Sequence, residues 1–460
     1  MKKLFKDKKV LIMGLGLHGG GAGAARFFYN QGAEVLVTDL KTKKKLKDSL
    51  LKLKGLKIEY VLGRHRVDDF KNADLIIKNP DVSNNSPYLK IAKDYNIPIK
   101  TDIGVFFDLA KADIIGVTGS KGKSTAATLI YKLVKKKYPN TYLGGNIGVS
   151  VLELLSKIDR RSRVVLELSS FELEDLKQSP YIAVITNVFR EHLNRYKSFK
   201  DYISAKKNIF NNQKRNDILV LNYDNKITKG FFDSTSSKSY FYSLYPPKNL
   251  NKFACYLKDE KIFFSIKKQP VLSLRDIKVY GEHNLSNILA SVSVAKIMGV
   301  SCKDIRSVIR SFKGIKSRQE FIIQIKGVRY FNDTTATMPQ AAVEAIKTTA
   351  DRFPDSKIIL IAGGQDKNLR YNDLAKEIIK RVDFLIMLPG TASDKLKKEL
   401  KNRIRIFKAD SMEKAVNKAS KTAEKGDIVL LSPAAASFNL FNNEFDRGEQ
   451  FNKFVKRLLK

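Results

Sequence analysis

A glycine-rich loop between an apolar segment and an amphipathic helix constrains this sequence more than any other feature. The segment Asp113–Thr118 (DIIGVT) leads directly into the loop Gly119–Thr125 (GSKGKST). Apolar residues then recur at helical spacing, at Ala126, Leu129, Ile130, Leu133 and Val134. A strand that enters a helix through such a loop favours an α/β fold built on a parallel sheet.

The same loop has the parts of a phosphate-binding site. It is not a strict GxxxxGK[ST] motif, because Val117 stands where the first glycine would be. Backbone N–H groups of Gly119–Gly122 can surround phosphate oxygens, Lys123 can reach the β and γ phosphates, and Ser124 can bind Mg²⁺. The sequence therefore predicts a nucleotide site at this loop.

Strand and helix patterns alternate along the chain, with one interruption. Buried-strand patterns such as Glu34–Asp39 (EVLVTD) and Arg163–Ser169 (RVVLELS) are typical of a parallel, doubly wound sheet. Between Thr228 and Val279, aromatic and polar residues alternate instead, which predicts short antiparallel strands. A chain of 460 residues is long enough for about three domains. We place them at residues 1–103, 104–314 and 315–460.

A second glycine loop lies near the N-terminus, where Gly14, Gly16 and Gly19 follow the apolar segment Lys9–Met13 as G-x-G-x-x-G. Asp39 ends the next strand pattern, 20 residues after Gly19. Such glycines let backbone N–H groups approach a pyrophosphate at a helix N-terminus. A UDP-sugar and NAD both present this group, and a purely structural turn is a further alternative. An NAD-dependent oxidoreductase would leave the phosphate loop unexplained.

Three ionisable residues lie at or after the ends of strand patterns in the nucleotide-binding segment. Glu167 ends an apolar strand pattern, where an acid is a natural Mg²⁺ ligand and an ordinary ion pair is the alternative. His192 follows the pattern Ile182–Asn187, and Lys206 lies 14 residues further on in a helical stretch. Taken alone, Lys206 would be read as one more surface lysine.

The charge of the chain suggests a different class of protein. Lys and Arg number 85 against 47 Asp and Glu, which gives a net charge of +38. Such an excess is typical of proteins that bind nucleic acids or membrane surfaces, so an ATP-modulated nucleic-acid-binding protein is an alternative to an enzyme. The lysines are spread along the whole chain, which favours a solvated surface. Two separated cysteines and the lack of a long apolar stretch predict a cytoplasmic protein.

Together these segments resemble the Mur ligase family, whose members use ATP to add amino acids to peptidoglycan precursors. The resemblance covers essentially the whole chain. Its motifs in chain order are TGSKGKST (118–125), Gly144–Gly148, Leu166–Glu174, His192 with Lys206, Gly281–Ala290, Arg318, Phe331–Thr337, Ala362–Lys367 and Leu431–Phe451. The last motif and the N-terminal glycine loop are most similar to the members that add D-glutamate.

The resemblance implies three α/β domains. They are a Rossmann-like UDP-sugar-binding domain (1–103), a central P-loop ATP-binding domain (104–314) with a mostly parallel sheet and a small antiparallel sheet, and a Rossmann-like amino-acid-binding domain (315–460). It implies UDP-N-acetylmuramoyl-L-alanine, ATP and D-glutamate as substrates, an acyl-phosphate intermediate and two Mg²⁺ sites. We expect a cytoplasmic monomer with no nucleic-acid or membrane partner.

The resemblance also implies roles for individual residues. The catalytic residues would be Lys123, Glu167, His192 and Lys206. The two Mg²⁺ ions would be bound by Ser124 with Glu167 and by His192 with Lys206, the last carbamylated so that it resembles a carboxylate. ATP would contact Gly119, Ser120, Lys121, Gly122, Lys123, Ser124, Thr125, Asn284, Asn287, Arg318 and Asp333. The UDP-substrate would contact Gly14, Leu15, Gly16, Leu17, His18, Asp39 and Asn146. The amino acid would contact Thr337, Lys367, Ser437 and Phe438.

Four departures from the family pattern stand out. Glu172 replaces a usual glutamine, and Lys78–Asp81 (KNPD) replaces an SPG-type turn. Thr335 stands where relatives often carry lysine, and the C-terminal motif reads NEFDRG. The last two fall near the expected amino-acid pocket, so a different acceptor such as L-glutamate stays an alternative to D-glutamate.

Overall fold

The computed structural model describes residues 3–16, 19–147, 150–192, 195–279, 281–366, 369–437 and 440–459. Three sheets belong to two compact units. The sheets of residues 9–100 and 113–273 lie in the first unit, and the sheet of residues 320–431 lies in the second. The α/β class predicted from alternating strands and helices is confirmed. The three domain boundaries stay predictions.

The first sheet has five parallel strands in the order β3-β2-β1-β4-β5. They are β1 (Lys9–Met13), β2 (Glu34–Asp39), β3 (Glu59–Leu62), β4 (Leu75–Lys78) and β5 (Ile99–Lys100). The apolar residues of β1 are buried because helices cover the sheet. Since β1 lies between β2 and β4, the glycine loop after Met13 meets the ends of both neighbours.

The second sheet has nine strands in the order β14-β13-β12-β11-β10-β9-β6-β8-β7. They are β6 (Asp113–Thr118), β7 (Thr141–Gly145), β8 (Arg163–Glu167), β9 (Ile182–Ile185), β10 (Ile218–Asn222), β11 (Lys238–Ser243), β12 (Phe253–Lys258), β13 (Lys261–Phe264) and β14 (Gln269–Ser273). The phosphate loop leaves β6 between the strand that ends in Glu167 and the strand that precedes His192.

The aromatic segment after Thr228 continues this sheet. Strands β12, β13 and β14 pair antiparallel, as the alternating pattern predicts. Strand β11 differs from that expectation, because it runs parallel to both β10 and β12. An alternating pattern reports which face of a strand is buried but not the direction of its neighbours, so the sequence could not reveal this pairing.

Helices of the first unit cover the two sheets. They are α1 (Gly20–Asn30), α2 (Lys47–Leu51), α3 (Val67–Lys71), α4 (Pro87–Asp94), α5 (Asp102–Leu109), α6 (Lys123–Lys137), α7 (Val151–Leu154), α8 (Ser170–Leu173), α9 (Phe199–Lys207), α10 (Lys226–Lys229), α11 (Glu282–Ile297) and α12 (Cys302–Ser311). Short 3-10 turns lie at Leu250–Lys252, Ser265–Lys267 and Leu274–Asp276. Helix α11 is buried along most of its length and packs against α6, which follows the phosphate loop.

The second unit has a six-stranded sheet in the order β15-β16-β20-β17-β18-β19. Its strands are β15 (Glu320–Ile325), β16 (Val328–Asn332), β17 (Ile358–Gly363), β18 (Phe384–Leu388), β19 (Ile406–Lys408) and β20 (Ile428–Leu431). Its helices are α13 (Pro339–Arg352), α14 (Asn372–Arg381), α15 (Thr391–Leu400), α16 (Met412–Thr422) and α17 (Glu444–Arg457). Strand β15 pairs antiparallel with β16, and the other described pairs are parallel. Because β20 lies between β16 and β17, the carboxyl ends of these three strands adjoin.

Across all these described segments, no helix combines the length and the apolar character needed to cross a membrane.

Candidate active site

The phosphate loop is shaped by close contacts that two glycines permit. Gly119 has φ +152°, and a Cβ there would lie 1.9 Å from Thr186 Oγ1. Gly122 has φ +81°, and a Cβ there would lie 2.1 Å from Asn287 Oδ1. Side chains at either position would collide with these neighbours, so the loop requires glycine. The structure thereby brings Asn287, assigned to ATP by resemblance, against the phosphate loop.

Positive charge is held close to this loop. Lys123 Nζ donates hydrogen bonds to the carbonyl oxygens of Gly119 (3.0 Å) and Ser120 (3.1 Å), so its ammonium group curls back over the loop. Lys121 Nζ lies 2.6 Å from Glu191 Oε1. Ser124 is buried on the first turn of α6. Lys123 and Ser124 are placed as a phosphate loop requires.

Glu167 ends β8 beside the start of the loop. Its Oε1 accepts a long hydrogen bond from Asn146 Nδ2 (3.4 Å), which brings the expected UDP-contact residue Asn146 to the expected metal ligand. Its Oε2 is buried and has no hydrogen-bond partner in the described chain. A buried carboxylate oxygen without a partner is costly unless a cation binds it. The donor chemistry of Glu167 and Ser124 fits Mg²⁺, which prefers oxygen ligands.

Lys206 is 1% exposed and points at the same loop. Its Nζ donates to Gly119 O (2.9 Å) and Thr118 Oγ1 (3.4 Å) and lies 4.8 Å from the centre of the Tyr202 ring. Burial, reinforced by the charge of Lys123, holds the pKa of Lys206 well below its usual range. In the described chain, no carboxylate lies within 4.0 Å of this amine.

His192 lies in the same neighbourhood. Its ring packs edge-on against Phe171, with centroids 5.0 Å apart, and is tilted against Tyr202 at 5.8 Å. Burial lowers the pKa of His192, while the adjacent Glu191 opposes that shift. A neutral imidazole is the form that binds metal ions. No three His, Cys, Asp or Glu side chains converge within the described ranges, so the predicted metal sites depend on Ser124 and on the modification of Lys206.

The N-terminal glycine loop uses Asp39 internally. Asp39 Oδ2 accepts a hydrogen bond from Gly16 N (3.2 Å) and Oδ1 accepts one from Lys41 N (2.8 Å), so the carboxylate closes the loop. Gly14 N donates to the strand β2 at Thr38 O (2.8 Å). The Leu15 side chain is fully buried in the apolar core, which leaves its backbone for any ligand contact. Leu17 and His18 lie outside the described residues.

In the second unit, Asp333 directly follows β16, and Arg318, which precedes β15, lies close to it. Asp333 Oδ1 accepts a hydrogen bond from Gln319 N (3.1 Å), and Oδ2 accepts one from Ser432 Oγ (2.8 Å). Burial raises the pKa of Asp333 to about 7, with the Arg318 charge opposing that shift. The atypical Thr335 donates its hydroxyl to Ser317 O (2.9 Å), so it ties the Arg318 segment to the Asp333 loop.

Three loops at adjoining strand ends form one network in this unit. Ala434 N donates to Ala336 O (2.8 Å), and Gly363 N donates to Pro433 O (2.8 Å). Gln365 and Ala436 exchange two backbone hydrogen bonds. The Ser437 hydroxyl is buried and lacks a partner among the residues that the structure describes, as a ligand-binding group would. Thr337 is half-buried on the first of these loops, while Lys367 and Phe438 lie outside the described residues.

Arg447 on α17 is a residue that the sequence analysis did not single out. It is fully buried, and its three donors bind Thr334 Oγ1 (3.0 Å), Thr334 O (2.8 Å) and Ala435 O (3.1 Å). Burial lowers its pKa to about 10. A Cβ on the next residue, Gly448, would lie 2.6 Å from Thr334 Cγ2. The Arg-Gly pair in NEFDRG was the sequence signal that could have revealed this role. The pair positions two of the three loops, those that carry Thr334 and Ala435.

Glu172, the acid at a usual glutamine position, has a local function. Its Oε2 accepts hydrogen bonds from Ser169 N and Ser169 Oγ, both at 2.7 Å, while Ser169 Oγ accepts from Glu172 N. This reciprocal capping box begins α8. Burial raises the pKa of Glu172 to about 8, so the carboxyl group is not a bare charge beside the phosphate loop.

The geometry at these strand ends defines a nucleotide-dependent enzyme, and sequence profiles identify the class. The Mur ligase MurD-like N-terminal domain matches residues 8–101, the Mur ligase middle domain matches residues 117–295, and the Mur ligase glutamate ligase domain matches residues 317–435. The chain belongs to the Mur ligase family and is an ATP-dependent, amide-bond-forming ligase.

Individual relatives match along their full length. The UDP-N-acetylmuramoylalanine–D-glutamate ligase of Roseiflexus sp. (strain RS-1) is 40% identical over 463 residues, covering 98% of each chain. The enzyme of the same name from Borreliella afzelii (strain PKo) is 40% identical over 462 residues, again covering 98% of each chain. Among solved structures, the UDP-N-acetylmuramate–alanine ligase of Thermotoga maritima superimposes with a TM-score of 0.65 at 18% identity, covering 98% of this chain and 99% of that one. The last similarity supports the fold alone.

Proposed function

We propose that this chain joins D-glutamate to UDP-N-acetylmuramoyl-L-alanine and that the cleavage of ATP to ADP and phosphate drives the reaction. The observation that carries the proposal is the group formed around the phosphate loop by the buried Glu167 and Lys206 and the half-buried Lys123. The full-length similarity to ligases named for D-glutamate supports this choice of acceptor. We place the reaction in the cytoplasm, where ATP is made, and expect the chain to act as a monomer.

ATP would bind with its phosphates on the loop Gly119–Thr125. Backbone N–H groups at a helix N-terminus favour anions, and the Lys123 ammonium group adds a positive charge at the same place. Asn287 contacts the loop directly and would border the nucleotide, with Asn284 one turn earlier on α11. Arg318 and Asp333 in the second unit are the remaining residues that we assign to ATP.

The reaction requires two anions to approach each other. The substrate carboxylate oxygen attacks the γ-phosphorus of ATP, the bond to the β–γ bridging oxygen breaks, and ADP leaves. The amine of D-glutamate then attacks the acyl carbon and forms the C–N bond, the bond between the acyl carbon and the phosphate oxygen breaks, phosphate leaves, and the nitrogen loses a proton. Lys123 and the loop N–H groups would stabilise the negative charge of both steps.

Magnesium fits this site at two places. Ser124 and Glu167 would hold one ion, since Glu167 Oε2 is a buried oxygen without a described partner. His192 and carbamylated Lys206 would hold the other. When bound, Mg²⁺ supplies positive charge that reduces the repulsion between carboxylate and phosphate.

The environment of Lys206 suits carbamylation. A neutral amine attacks the carbon of CO₂, a C–N bond forms, and one proton is released to give a carbamate anion. Burial and the nearby Lys123 favour the neutral amine. The resulting anion would then lie near the Lys123 ammonium group and the Mg²⁺ ion that His192 would also bind, and both would stabilise it.

D-Glutamate would bind in the second unit, at the adjoining ends of β16, β17 and β20. The buried Ser437 hydroxyl, which has no partner in the described chain, and Thr337 are the groups that we assign to its carboxylates. Lys367 and Phe438 complete the proposed set. The hydrogen bond from Thr335 to Ser317 leaves the loop intact without the lysine that relatives often have.

The proposal is tested by measuring ADP release with ATP, Mg²⁺, UDP-N-acetylmuramoyl-L-alanine and a panel of amino acids. D-Glutamate should give a rate at least about tenfold above L-glutamate, D-aspartate and D-alanine. Mass spectrometry should show the amide product only when all three substrates are present. Equal rates with L-glutamate would contradict the D-specificity, and no product with any amino acid would contradict the ligase reaction.

A further inference from the structure

A polar cluster around one buried lysine joins the first sheet to the second. It consists of Lys78, Asn84, Asp175 and Arg195, and we refer to it as the Lys78 cluster. Lys78, the last residue of β4, is 1% exposed. Its Nζ lies 2.7 Å from Asp175 Oδ2 and donates to Asn84 Oδ1 (2.5 Å), and Asn84 Nδ2 donates to Asp175 Oδ1 (2.9 Å). Each group in this triangle therefore has a partner.

Arg195 binds the turn that follows Lys78. Its Nη1 donates to Asp81 O (2.7 Å), and its Nη2 donates to Pro80 O (3.1 Å) and Val82 O (3.2 Å). The guanidinium lies 5.1 Å from the centre of the Phe171 ring on α8. A planar guanidinium can serve several carbonyl groups at fixed angles, which a lysine ammonium cannot do. The Arg195 side chain, which belongs to the segment of the second sheet, thus fixes the backbone of the turn that follows Lys78.

The same turn supports the N-terminal glycine loop. Asn79 N donates to Met13 O (2.9 Å), and Asn79 Nδ2 donates to Gly14 O (3.3 Å). A Cβ on Gly14 would lie 2.9 Å from Asn79 Cβ, so the turn and the loop are in direct contact. Any displacement of the turn would therefore displace the loop that we assign to the UDP-substrate.

The other end of the cluster leads to the proposed metal ligands. Arg195 N and Tyr196 N both donate to His192 O, at 2.9 and 3.0 Å. Asp175 follows α8, and α8 begins three residues after Glu167. The cluster thus connects the glycine loop to the two segments that carry His192 and Glu167.

We infer that Lys78, Asp175 and Arg195 are positioning residues for the UDP-substrate. They fix the glycine loop relative to the phosphate loop, so that the substrate carboxylate reaches the γ-phosphate of ATP. This inference rests on the proposed function. Misplacement of a reacting group by about 1 Å costs on the order of 100-fold in rate, so such a connection has a direct effect on catalysis.

A second ion pair between the same two parts provides a matched control. Arg26 on α1 lies 2.8 Å from Glu153 on α7, and the two side chains are 38% and 30% exposed. Neither residue belongs to the loops that we assign to substrates. The two carboxylates are similarly exposed, but Arg26 is half-exposed where Lys78 is buried, so the loss of this pair should not change substrate binding.

The first experiment compares Asp175→Asn with Glu153→Gln. The Asp175→Asn variant should raise the KM for UDP-N-acetylmuramoyl-L-alanine at least about tenfold, because the Lys78 ammonium loses its carboxylate and the turn shifts. Its KM for ATP should change less than about twofold, since the phosphate loop does not touch the cluster. The Glu153→Gln variant should match the wild type in both constants. An unchanged KM for the UDP-substrate in Asp175→Asn would overturn the inference.

A double variant separates positioning from folding. In Lys78→Met with Asp175→Asn, no buried charge is left unpaired, so the melting temperature should return close to the wild-type value. The KM for the UDP-substrate should stay raised, because the turn remains detached. Recovery of both quantities would show a merely structural role and overturn the inference. If Asp175→Asn does not fold, Arg195→Lys carries the same test and should raise the same KM while ATP binding is retained.

Calorimetric titration distinguishes this inference from the proposed function. The wild type is titrated with UDP-N-acetylmuramoyl-L-alanine in the absence of ATP. Absence of binding to the wild type would contradict the proposed function itself. Equal affinity of the wild type and Asp175→Asn would overturn the positioning role and leave the proposed function standing.

Discussion

Two lysines of this protein are equally buried and surrounded in opposite ways. Lys78 and Lys206 are each 1% exposed. The Lys78 ammonium has a carboxylate at 2.7 Å and an amide oxygen at 2.5 Å. The Lys206 amine has a carbonyl and a hydroxyl oxygen, with the charge of Lys123 nearby, and the described chain provides no carboxylate within 4.0 Å.

The difference in surroundings agrees with the roles that we propose for the two lysines, structural for Lys78 and reactive for Lys206. A paired ammonium is stable as a cation and holds two segments together. An unpaired amine in the same depth of burial favours its neutral form, which can act as a nucleophile. Burial alone therefore does not distinguish the two lysines, whereas the charge of their neighbours does.

Two further buried ionisable side chains extend this comparison. Arg447 keeps its guanidinium buried by donating to two loops through three hydrogen bonds. Glu172 accepts hydrogen bonds from its own helix cap, and burial raises its pKa to about 8. The described partners of both residues are uncharged groups, as those of Lys206 are, whereas Lys78 has a carboxylate partner.

The largest effect is expected at Lys206. The Lys206→Met variant should lose activity by about 1000-fold, because it lacks the amine that we propose becomes a metal ligand. Its free energy of unfolding should be unchanged or higher, since an apolar side chain replaces a buried amine that has no carboxylate partner. Ligation assays and chemical unfolding measure both quantities.

Two variants control this experiment. Lys207→Met changes the neighbouring, half-buried lysine and should keep its activity within about twofold. The smaller Lys206→Ala variant should regain part of its activity when short carboxylic acids are added, because they can occupy the place of the carbamate. Full activity in Lys206→Met would contradict the proposed role.

The next effect is expected at Arg447. In Arg447→Lys the charge is kept, but one ammonium group cannot reach the acceptors on both Thr334 and Ala435. With one or two charged hydrogen bonds lost, the free energy of unfolding should fall by about 3 kcal/mol. On the same helix, Arg457→Lys changes a half-exposed side chain and should cost less than about 0.5 kcal/mol. Equal unfolding curves for the two variants would show that the loops do not depend on Arg447.

A smaller loss of stability is expected when Lys78 loses its carboxylate. Asp175→Asn should lower the free energy of unfolding by about 2 kcal/mol. Breaking a fully buried pair costs roughly 3–5 kcal/mol, and the 28% exposure of the Asp175 side chain reduces that figure. Glu153→Gln should cost less than about 0.5 kcal/mol. A loss in Asp175→Asn no greater than in Glu153→Gln would remove the contrast between Lys78 and Lys206.

The last effect is expected at Glu172 and appears as a dependence of stability on pH. The pKa of Glu172 is raised to about 8 in the folded chain, against an ordinary value of 4.5. Unfolding therefore releases a proton between these values, and stability falls as pH rises from about 4.5 to about 8. Glu172→Gln has no such proton to release, so its advantage over the wild type should grow with pH across this range, by at most about 1.4 kcal/mol per pH unit. Stability curves that stay parallel between pH 5 and 8 would contradict this expectation.

Local patterns were sufficient to predict the α/β class, and they also mark the loops and strand ends to which we assign the site. Glycines, strand ends and the acid Glu167 are signals carried by a few adjacent residues. The pairing of Lys78 with Asp175 is not such a signal, because the two residues are 97 positions apart and each looks like a surface charge. Arg447 was missed for the same reason, since its partners Thr334 and Ala435 lie on other loops. The parallel direction of β11 depends on its neighbours, which its own pattern cannot encode.

The contact between Gly122 and Asn287 has a consequence for how the protein is made. The phosphate loop emerges from the ribosome 165 positions before the residue that packs against it. At about 5–20 residues per second, the loop waits roughly 8–33 seconds for its partner helix α11. Throughout that interval the phosphate loop of the nascent chain lacks its contact with Asn287. Nucleotide binding by the growing chain should therefore begin only after Ile297, the last residue of α11, has left the exit tunnel.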